Sequence, residues 1–494
     1  MEALLRIEEA VGPDGTRYPY VKTDNPPRGG MKHTYFAPDR SYVVQFFNDP
    51  ADARNPALRS RLEAILTRYN PTVPEAAGGA AGNTERTAAY FAGRFCWPLA
   101  MVESPEFGIV CPTYPPQFFF GRDATVTDKL NLEGTDKRSN WFTSSNRKFF
   151  RDAELGDFRT MLSVSIRLAR AVRRLHAAGL AHSDLSNNNV LIDPVSGDCV
   201  IIDIDSLVVP NMYPPEVAGT RGYIAPEVLA TLEYERNDPR RQFPRIETDD
   251  YSLPVLIYQY LFLRHPLQGP KVRSTVSAEE DEFLEFGPQA LFIEDPHDAS
   301  NRPPDLGVTI DSLGPGLRNL FVRAFSDGLH RPEKRPSASE WEQELEKAWD
   351  LLHPCSNPDC PGGWFVLHDP DHPVCPHCGT RIAAPDLMQL RLKKPAGREG
   401  QWRHDRMLVL YDGLQLFRWH VFAGELRNER ADRTPQARVA HVEGQWLLVN
   451  ENMTGMISPK GNLVPRGQAI RLEDGALFRI SEQERGRLVE VVRG

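Results

Sequence analysis

The stretch His182-Ser-Asp184-Leu-Ser-Asn-Asn-Asn189-Val-Leu-Ile192 sets an aspartate and, five residues later, an asparagine on a polar loop that runs into a short apolar strand. Just upstream, residues 157–178 carry Leu162, Ile166, Ala169, Val172 and Leu175 at spacings of three and four, which predicts an amphipathic helix. Downstream, Val200-Ile-Ile-Asp203-Ile-Asp205 ends a second apolar run with two acids. Next come Gly219-Thr-Arg-Gly-Tyr223-Ile-Ala225-Pro226-Glu227, Asp249-Asp-Tyr-Ser-Leu and Arg335-Pro-Ser. Apolar helices are predicted at 251–263, 317–325 and 338–352, the last one ended by His353-Pro354. The stretch 70–83, rich in Ala, Gly and Pro, reads as a surface loop.

In this order and spacing the five segments resemble protein-kinase motifs: the H-R-D-L-x-x-x-N catalytic loop, the D-F-G aspartate, the A-P-E end of the activation segment, the acid that opens the central helix of the large lobe, and the late arginine that pairs with the A-P-E glutamate, here Glu227. Any one of them is equally well an acid capping a turn or an ordinary loop asparagine; the ordered set carries the resemblance. It implies an α+β, bilobal protein-kinase fold over residues 12–352, with a small lobe at 12–115 and a large lobe at 116–352. Phosphoryl transfer asks for positioning and charge neutralisation more than covalent chemistry. The resemblance therefore implies ATP as co-substrate and a serine or threonine of a protein substrate as acceptor. Asp184 would accept or orient the proton of the attacking hydroxyl, and Asn189 and Asp203 would hold Mg2+ or Mn2+, hard cations that take oxygen ligands.

The sequence departs from the pattern at informative places. The strand Ser41-Tyr-Val-Val-Gln45-Phe-Phe47 has glutamine where kinases carry the phosphate-holding lysine. The preceding loop, Arg28-Gly29-Gly30-Met31-Lys32, is similar to that of the with-no-lysine kinases, which implies that Lys32 reaches the phosphates instead, beside Gly29 and Gly30. The alternative is a lysine exposed on a β-strand. Glu63, on a predicted helix 18 residues past Gln45, is the candidate to pair with Lys32 at the nucleotide site. Ser183 stands in place of the catalytic-loop arginine, and hydroxyls are few between Ser206 and Thr220, which argues against activation-loop phosphorylation as the main switch. Ser186 replaces a lysine and Asp205 replaces the D-F-G glycine, so charge near the γ-phosphate becomes more negative. An active kinase needs Lys32, Asp184, Asn189 and Asp203, all present; a pseudokinase would keep the fold and act through bound nucleotide or partners.

The remainder of the chain bounds the setting. Of 494 residues, 25% are charged and 40% apolar, an ordinary globular composition that excludes collagen, coiled coil and wholesale disorder. The net charge of −9 is uneven: from Arg391 onward 18 Lys and Arg face 13 Asp and Glu, while the preceding part holds 40 against 54. An acidic body does not suit a nucleic-acid binder. The first nine residues carry acids and no long apolar run, and the apolar stretch near 253–263 is too short for a bilayer, so a cytoplasmic protein without membrane attachment is expected. Cys355, Cys360, Cys375 and Cys378 have zinc-ribbon spacing, which predicts a closed, structural Zn2+ site over 353–382; four cysteines placed without a metal is the alternative. After Pro385 the pattern changes to short strands, with an Asp412-Gly413 turn signal. Gln445-Trp446-Leu-Leu-Val-Asn450 and its continuation to Gly455 resemble the C-terminal half of a forkhead-associated domain, which implies a small all-β sandwich over 386–494. Its phosphothreonine-holding pattern is degraded, with Thr454 at an asparagine position and Ala437-Arg438-Val439-Ala440 upstream, so a contact domain is the alternative.

The combination of kinase, ribbon and β-tail with the Gly30-Met-Lys32 loop resembles the kinase of bacterial tellurium-resistance-associated signalling clusters. That resemblance implies a stress-signalling role, with a metal-dependent protein phosphatase and a von Willebrand A-type protein as partners. A third reading makes the protein an adaptor that works mainly through residues 386–494.

Overall fold

A computed structural model describes residues 6–127, 130–212, 219–383, 387–397 and 400–493. The start of the expected leader-free N-terminus at 1–5, the central part of the hydroxyl-poor stretch at 213–218, and the expected tail boundary at Pro385 and Asp386 lie outside the described residues.

The first body is a β-sheet lobe. A hairpin of β1 (Ile7–Val11) and β2 (Arg17–Val21) leads to β3 (Lys32–Phe36) and β4 (Tyr42–Phe47), which join β5 (Ala100–Val102) and β6 (Gly108–Pro112) in an antiparallel sheet of order β3-β4-β6-β5. Alternation decides the faces. In β3, His33 and Tyr35 are buried, while Lys32, Thr34 and Phe36 look to the other side. The hairpin packs Ala10 and Tyr20 against Tyr35, Val44, Phe46 and Val110, so the lobe extends to Ile7, five residues before the expected start at 12. Helix α1 (Pro56–Leu66) begins with the Asn55 side chain accepting from the amides of Ala57 and Leu58 and with proline in its first turn, and it buries Leu58, Arg61, Leu62 and Ile65.

The second body is helical. The helix Phe158–Ala177 starts with a capping box of Asp157 and Thr160, as its period predicts. The helix Ile246–Phe262 is buried on every side from Thr248 onward, which explains why its sequence shows almost no polar face. Its Asp249 accepts from the backbone amide of His182 at 2.8 Å and sits 3.1 Å from His176 Nε2, so the central helix pins the start of the decisive loop. Arg335 grips Glu227 with two parallel bonds of 2.8 Å, Nη1 to Oε1 and Nη2 to Oε2, the pairing the sequence implied.

The last helix of this body, Ala338–Asp350, stops before His353-Pro354, and Leu352–Pro354 becomes a strand paired with Trp364–Val366. Cys355 and Cys360 lie in the connection between these two strands, and Cys375 and Cys378 beyond the second. The tail has two four-stranded antiparallel sheets. One joins Trp402–Val409, Met388–Pro395, Leu488–Arg493 and Leu477–Arg479; the other joins Gln415–Leu416, Ala437–Val442, Gln445–Asn450 and Ala469–Arg471. Leu390, Leu392, Leu408, Val489 and Val491 meet Leu416, Val439, Leu448 and Ile470 in one core. The Asp412-Gly413 turn does not close a hairpin. It carries the chain from one sheet to the other, because its flanking strands pair with Met388–Pro395 and Ala437–Val442 instead. The tail is seated on the helical body through Arg406 to Asp350 at 2.8 Å, Arg173 to Glu429 at 2.6 Å and Arg170 to the Arg427 carbonyl at 2.6 Å. Among the described residues no helix is long and apolar enough to cross a membrane.

Arg335 is fully buried at its side chain and Glu227 is 20% exposed. Arg335→Ala leaves that carboxylate uncompensated and is expected to destabilise the helical body by about 3 kcal/mol, read as a lower urea midpoint; an unchanged midpoint would show that the pair is not a structural clamp.

Candidate active site

Between the two bodies lies a cleft of about 620 Å³ lined by Gly29, Gly30, Lys32, Thr34, Gln45, Asn189, Asp203 and Asp205 among others. Strand register explains the upper wall. Thr34 stands opposite Gln45, and Lys32, two residues away on the same face, stands opposite Phe47. Lys32, Thr34 and Gln45 therefore share the cleft side of the sheet, and Gln45 Nε2 donates to Thr34 Oγ1 at 3.3 Å. The turn before β3 is held by the Gly29 amide donating to the Lys32 carbonyl at 2.8 Å. Asn48 Nδ2 lies within 3.2 Å and 3.3 Å of the Gly29 and Gly30 carbonyls.

The Lys32 ammonium crosses to the lower wall. It donates to both oxygens of Asp205 at 2.6 Å and to Asp203 Oδ1 at 3.2 Å. Burial alone would pull its pKa down, but Asp205 and then Asp203 outweigh burial and hold it above the usual lysine range. Burial acts to raise Asp203, yet the Lys32 ammonium holds that carboxyl below its ordinary value. Asp203 has φ +62°, a left-handed conformation that aspartate tolerates better than most side chains. It follows the strand Asp198–Ile201 and opens a short helical turn, which sends Asp203 and Asp205 to the same end of the cleft.

Asp184 sits below, anchored from three directions. Its Oδ1 accepts from the Thr220 amide at 2.8 Å, and its Oδ2 accepts from Asn189 Nδ2 at 2.9 Å and Thr220 Oγ1 at 3.1 Å. Asn189 Nδ2 also reaches the Asp184 carbonyl at 2.9 Å, closing the loop on itself. His182 fixes the loop to the strand before Asp203. Its Nε2 donates to the Ile202 carbonyl at 3.0 Å, and its Nδ1 accepts from the Asp184 amide at 3.2 Å, so one neutral tautomer serves both bonds.

Of the residues singled out from sequence, Gly29, Gly30, Lys32, Asn189 and Asp203 line this cleft, while Asp184 lies outside the lining, joined to it through Asn189. Glu63 does not. It lies exposed on α1, because the face of that helix turned inward carries Leu58, Arg61, Leu62 and Ile65. The carboxylate that meets Lys32 is Asp205, which sequence reasoning had read merely as added negative charge. Arg61 was missed as well. It is buried, and the Asp205 charge partly offsets the effect of burial, which pulls its guanidinium down. Thr220 was quoted in its motif without a role, although a hydroxyl followed by a tight glycine-containing turn was the available signal.

The second cluster is Cys355, Cys360, Cys375 and Cys378, whose sulfur atoms all lie within 4.8 Å of one another. The pairs Cys355–Cys378 and Cys360–Cys375 stand at 3.5 and 3.7 Å. Those gaps are too long for disulfides, which need about 2.05 Å, and close to the ~3.8 Å edge of a thiolate tetrahedron built on ~2.3 Å Zn–S bonds.

Comparison with known proteins agrees with the geometry. Residues 139–348 match the family described as Protein kinase domain. The chain carries a protein kinase domain. The match covers the helical body from Ser139, and the sheet lobe stands on its structure alone. Among curated relatives, serine/threonine-protein kinase PknD of Chlamydia felis is 30% identical over 227 residues, 40% of this chain and 22% of that protein. Aurora kinase of Dictyostelium discoideum is 27% identical over 157 residues, 29% of this chain and 38% of that protein. PknD of Chlamydia abortus is 27% identical over 139 residues, 24% of this chain and 14% of that protein. The chain thus spans well under half the length of each of these relatives.

The lysine's carboxylate partner can be tested directly. Asp205→Ala should weaken binding of a fluorescent ATP analogue or change its salt dependence, since Lys32 loses its bidentate hold, while Glu63→Ala should leave binding within about twofold of wild type, as exposed substitutions do. Equal losses in both variants would contradict the assignment.

Proposed function

We propose that the protein is an ATP-dependent serine/threonine protein kinase. The observation that supports this most strongly is the joint placement of Asp184, braced by Thr220 and Asn189, and Lys32, reaching Asp203 across the cleft. The donor set suits Mg2+ or Mn2+, because Asp203 and Asn189 offer oxygen ligands on one wall of the cleft. When bound, the metal and ATP supply the transferable phosphoryl group and neutralise its charge. Asp184 orients the acceptor hydroxyl and takes its proton. Lys32 holds phosphate oxygens from above with its charge intact, Asp205 positions that ammonium, and the glycines at 29 and 30 let backbone approach closely. Thr220 ties Asp184 to the activation segment, so the base is correctly aimed when that segment is seated.

A pseudokinase remains the second reading, favoured by one observation. Asp205 already neutralises Lys32, so Lys32, Asp203 and Asp205 together present one positive and two negative charges where a triphosphate would sit. Asp184→Asn separates the two readings. In an active kinase it lowers phosphate incorporation from γ-labelled ATP by about 10²–10⁴-fold, while ATP-analogue binding stays. If wild type and variant incorporate label equally, or neither incorporates any, the kinase reading fails.

We further propose that the cysteine cluster is a closed structural Zn2+ site of the ribbon type. Its place between the last helix of the kinase domain and the tail suits a rigid joint. Metal analysis should find one zinc per chain, lost in Cys375→Ser together with a lower melting temperature; a metal-free wild type of the same stability would contradict the site. The two-sheet tail supports the forkhead-associated-like reading of 386–494, used as a contact domain. Arg438 is paired with Glu451 at 3.2 Å and its strand is fully engaged in a sheet, which leaves little of a phosphothreonine clamp. The Gly30-Met-Lys32 loop and the domain order support a place in bacterial tellurium-resistance-associated stress signalling, in the cytoplasm, beside a metal-dependent protein phosphatase and a von Willebrand A-type protein.

A further inference from the structure

The kinase domain and the tail enclose a second cavity of about 700 Å³, larger than the cleft and sharing no residue with it. Its wall holds five arginines, Arg159, Arg167, Arg170, Arg427 and Arg433, against two acids, Asp350 and Asp412. Part of this charge is satisfied. Arg170 is bound by Glu342 and Glu346 at 2.6 Å each, Arg167 is paired with Asp198 at 3.2 Å, and Asp350 is held by Arg406 at 2.8 Å. Three arginines are left over: among the described residues, no carboxylate lies within ion-pair distance of Arg159, Arg427 or Arg433.

One of these leftover cations, Arg427, carries a donor with no partner. Arg427 Nη1 is sealed from solvent without a hydrogen-bond partner, a costly state for a guanidinium. Burial pulls the Arg427 pKa down to about 10; the more distant Glu346 and Asp350 oppose that and Arg170 and Arg433 add to it, so the group stays cationic near neutrality. Arg433 stands on the exposed side of the wall, where partial desolvation and its neighbours Arg170, Arg167 and Arg94 pull its pKa down against Tyr90, so the charges crowd one another. The same wall carries aromatic rings stacked with guanidinium groups. Arg427 lies 4.7 Å over the Trp349 ring, Arg159 lies 4.7 Å over Trp364, and Trp364 meets Tyr411 edge-on at 5.0 Å.

We propose that this interdomain cavity binds a nucleotide, its phosphates taken by Arg427 and Arg433 and its ring set against the Trp349 and Tyr411 side. Planar guanidinium forks match phosphate oxygens bidentately, and stacked aromatic and guanidinium planes suit a base. The volume lies within the range of about 300–1,000 Å³ for small-ligand sites. Since the wall comes from both the kinase domain and the tail, occupancy couples the seating of the tail to the presence of the ligand. The site is independent of catalysis in the cleft.

The test is photolabelling of the full-length chain with 8-azido-ATP, followed by peptide mapping, in wild type and in the Arg427→Gln/Arg433→Gln double variant. Wild type should be labelled in the cleft and again within residues 349–364 or 411–433. In the double variant the second label should fall about tenfold or more, the scale of one lost charge-assisted hydrogen bond, while the cleft label persists and reports an intact fold. Excess AMP should remove the second label and adenosine at the same concentration should not. Wild-type label confined to the cleft overturns the proposal, as does a second label that survives the double substitution or that adenosine removes equally well. Cross-linking of a phosphothreonine peptide there, with no nucleotide label, overturns it in favour of a phosphoprotein site.

Discussion

One buried ammonium holds the two bodies of the kinase domain in register. Lys32 projects from the sheet lobe and meets Asp205 and Asp203, which belong to the turn after the strand Asp198–Ile201. Without that cation two carboxylates would face each other at the cleft end, and without the carboxylates a lysine that is 11% exposed would lack compensation. The placement of Lys32 follows from the period of β3, which also puts Thr34 and Gln45 on the cleft side. Gln45 shares that face without supplying charge, and the cation on it is Lys32, two residues along on the neighbouring strand.

The lower half of the site depends on a chain of hydrogen bonds anchored in the most deeply buried helix. Asp249 holds His182, His182 holds the strand before Asp203, and Asp184 is braced between Asn189 and Thr220. Each link is a polar group satisfied inside an apolar body, which gives the constellation one arrangement instead of several. The clamp between Arg335 and Glu227 then fixes the far end of the activation segment to the same body. The four-cysteine joint and the tail extend this rigidity outward, since the tail rests on Asp350, Arg173 and Arg170 through charged bonds and packs Val409 against Phe365 and Leu367.

Much of this was legible in the sequence, for identifiable reasons. The helix at 158–177 announced itself by period and cap, and the loop at 182–192 by polar residues running into an apolar strand. Lys32 was visible as a lysine beside two glycines when Gln45 stood in the usual place. What stayed hidden were partnerships across long sequence distances. Glu63 looked suitable because helix position alone says little about which face turns inward, and Arg61 took that face. Asp205 lies 173 residues from Lys32, and no local pattern joins them. The Asp412-Gly413 turn was recognised as a turn, but whether such a turn closes a hairpin or passes between sheets depends on pairing partners elsewhere in the chain.

The measurement that bears most directly on the central claim moves the lysine back. Phosphate transfer from γ-labelled ATP and ATP-analogue affinity should be measured side by side in wild type, Lys32→Gln and Lys32→Gln/Gln45→Lys. The account predicts loss of both quantities in the single variant and their partial recovery in the double variant, because residues 32 and 45 serve the same face of the same cleft. Undiminished transfer in Lys32→Gln would contradict it.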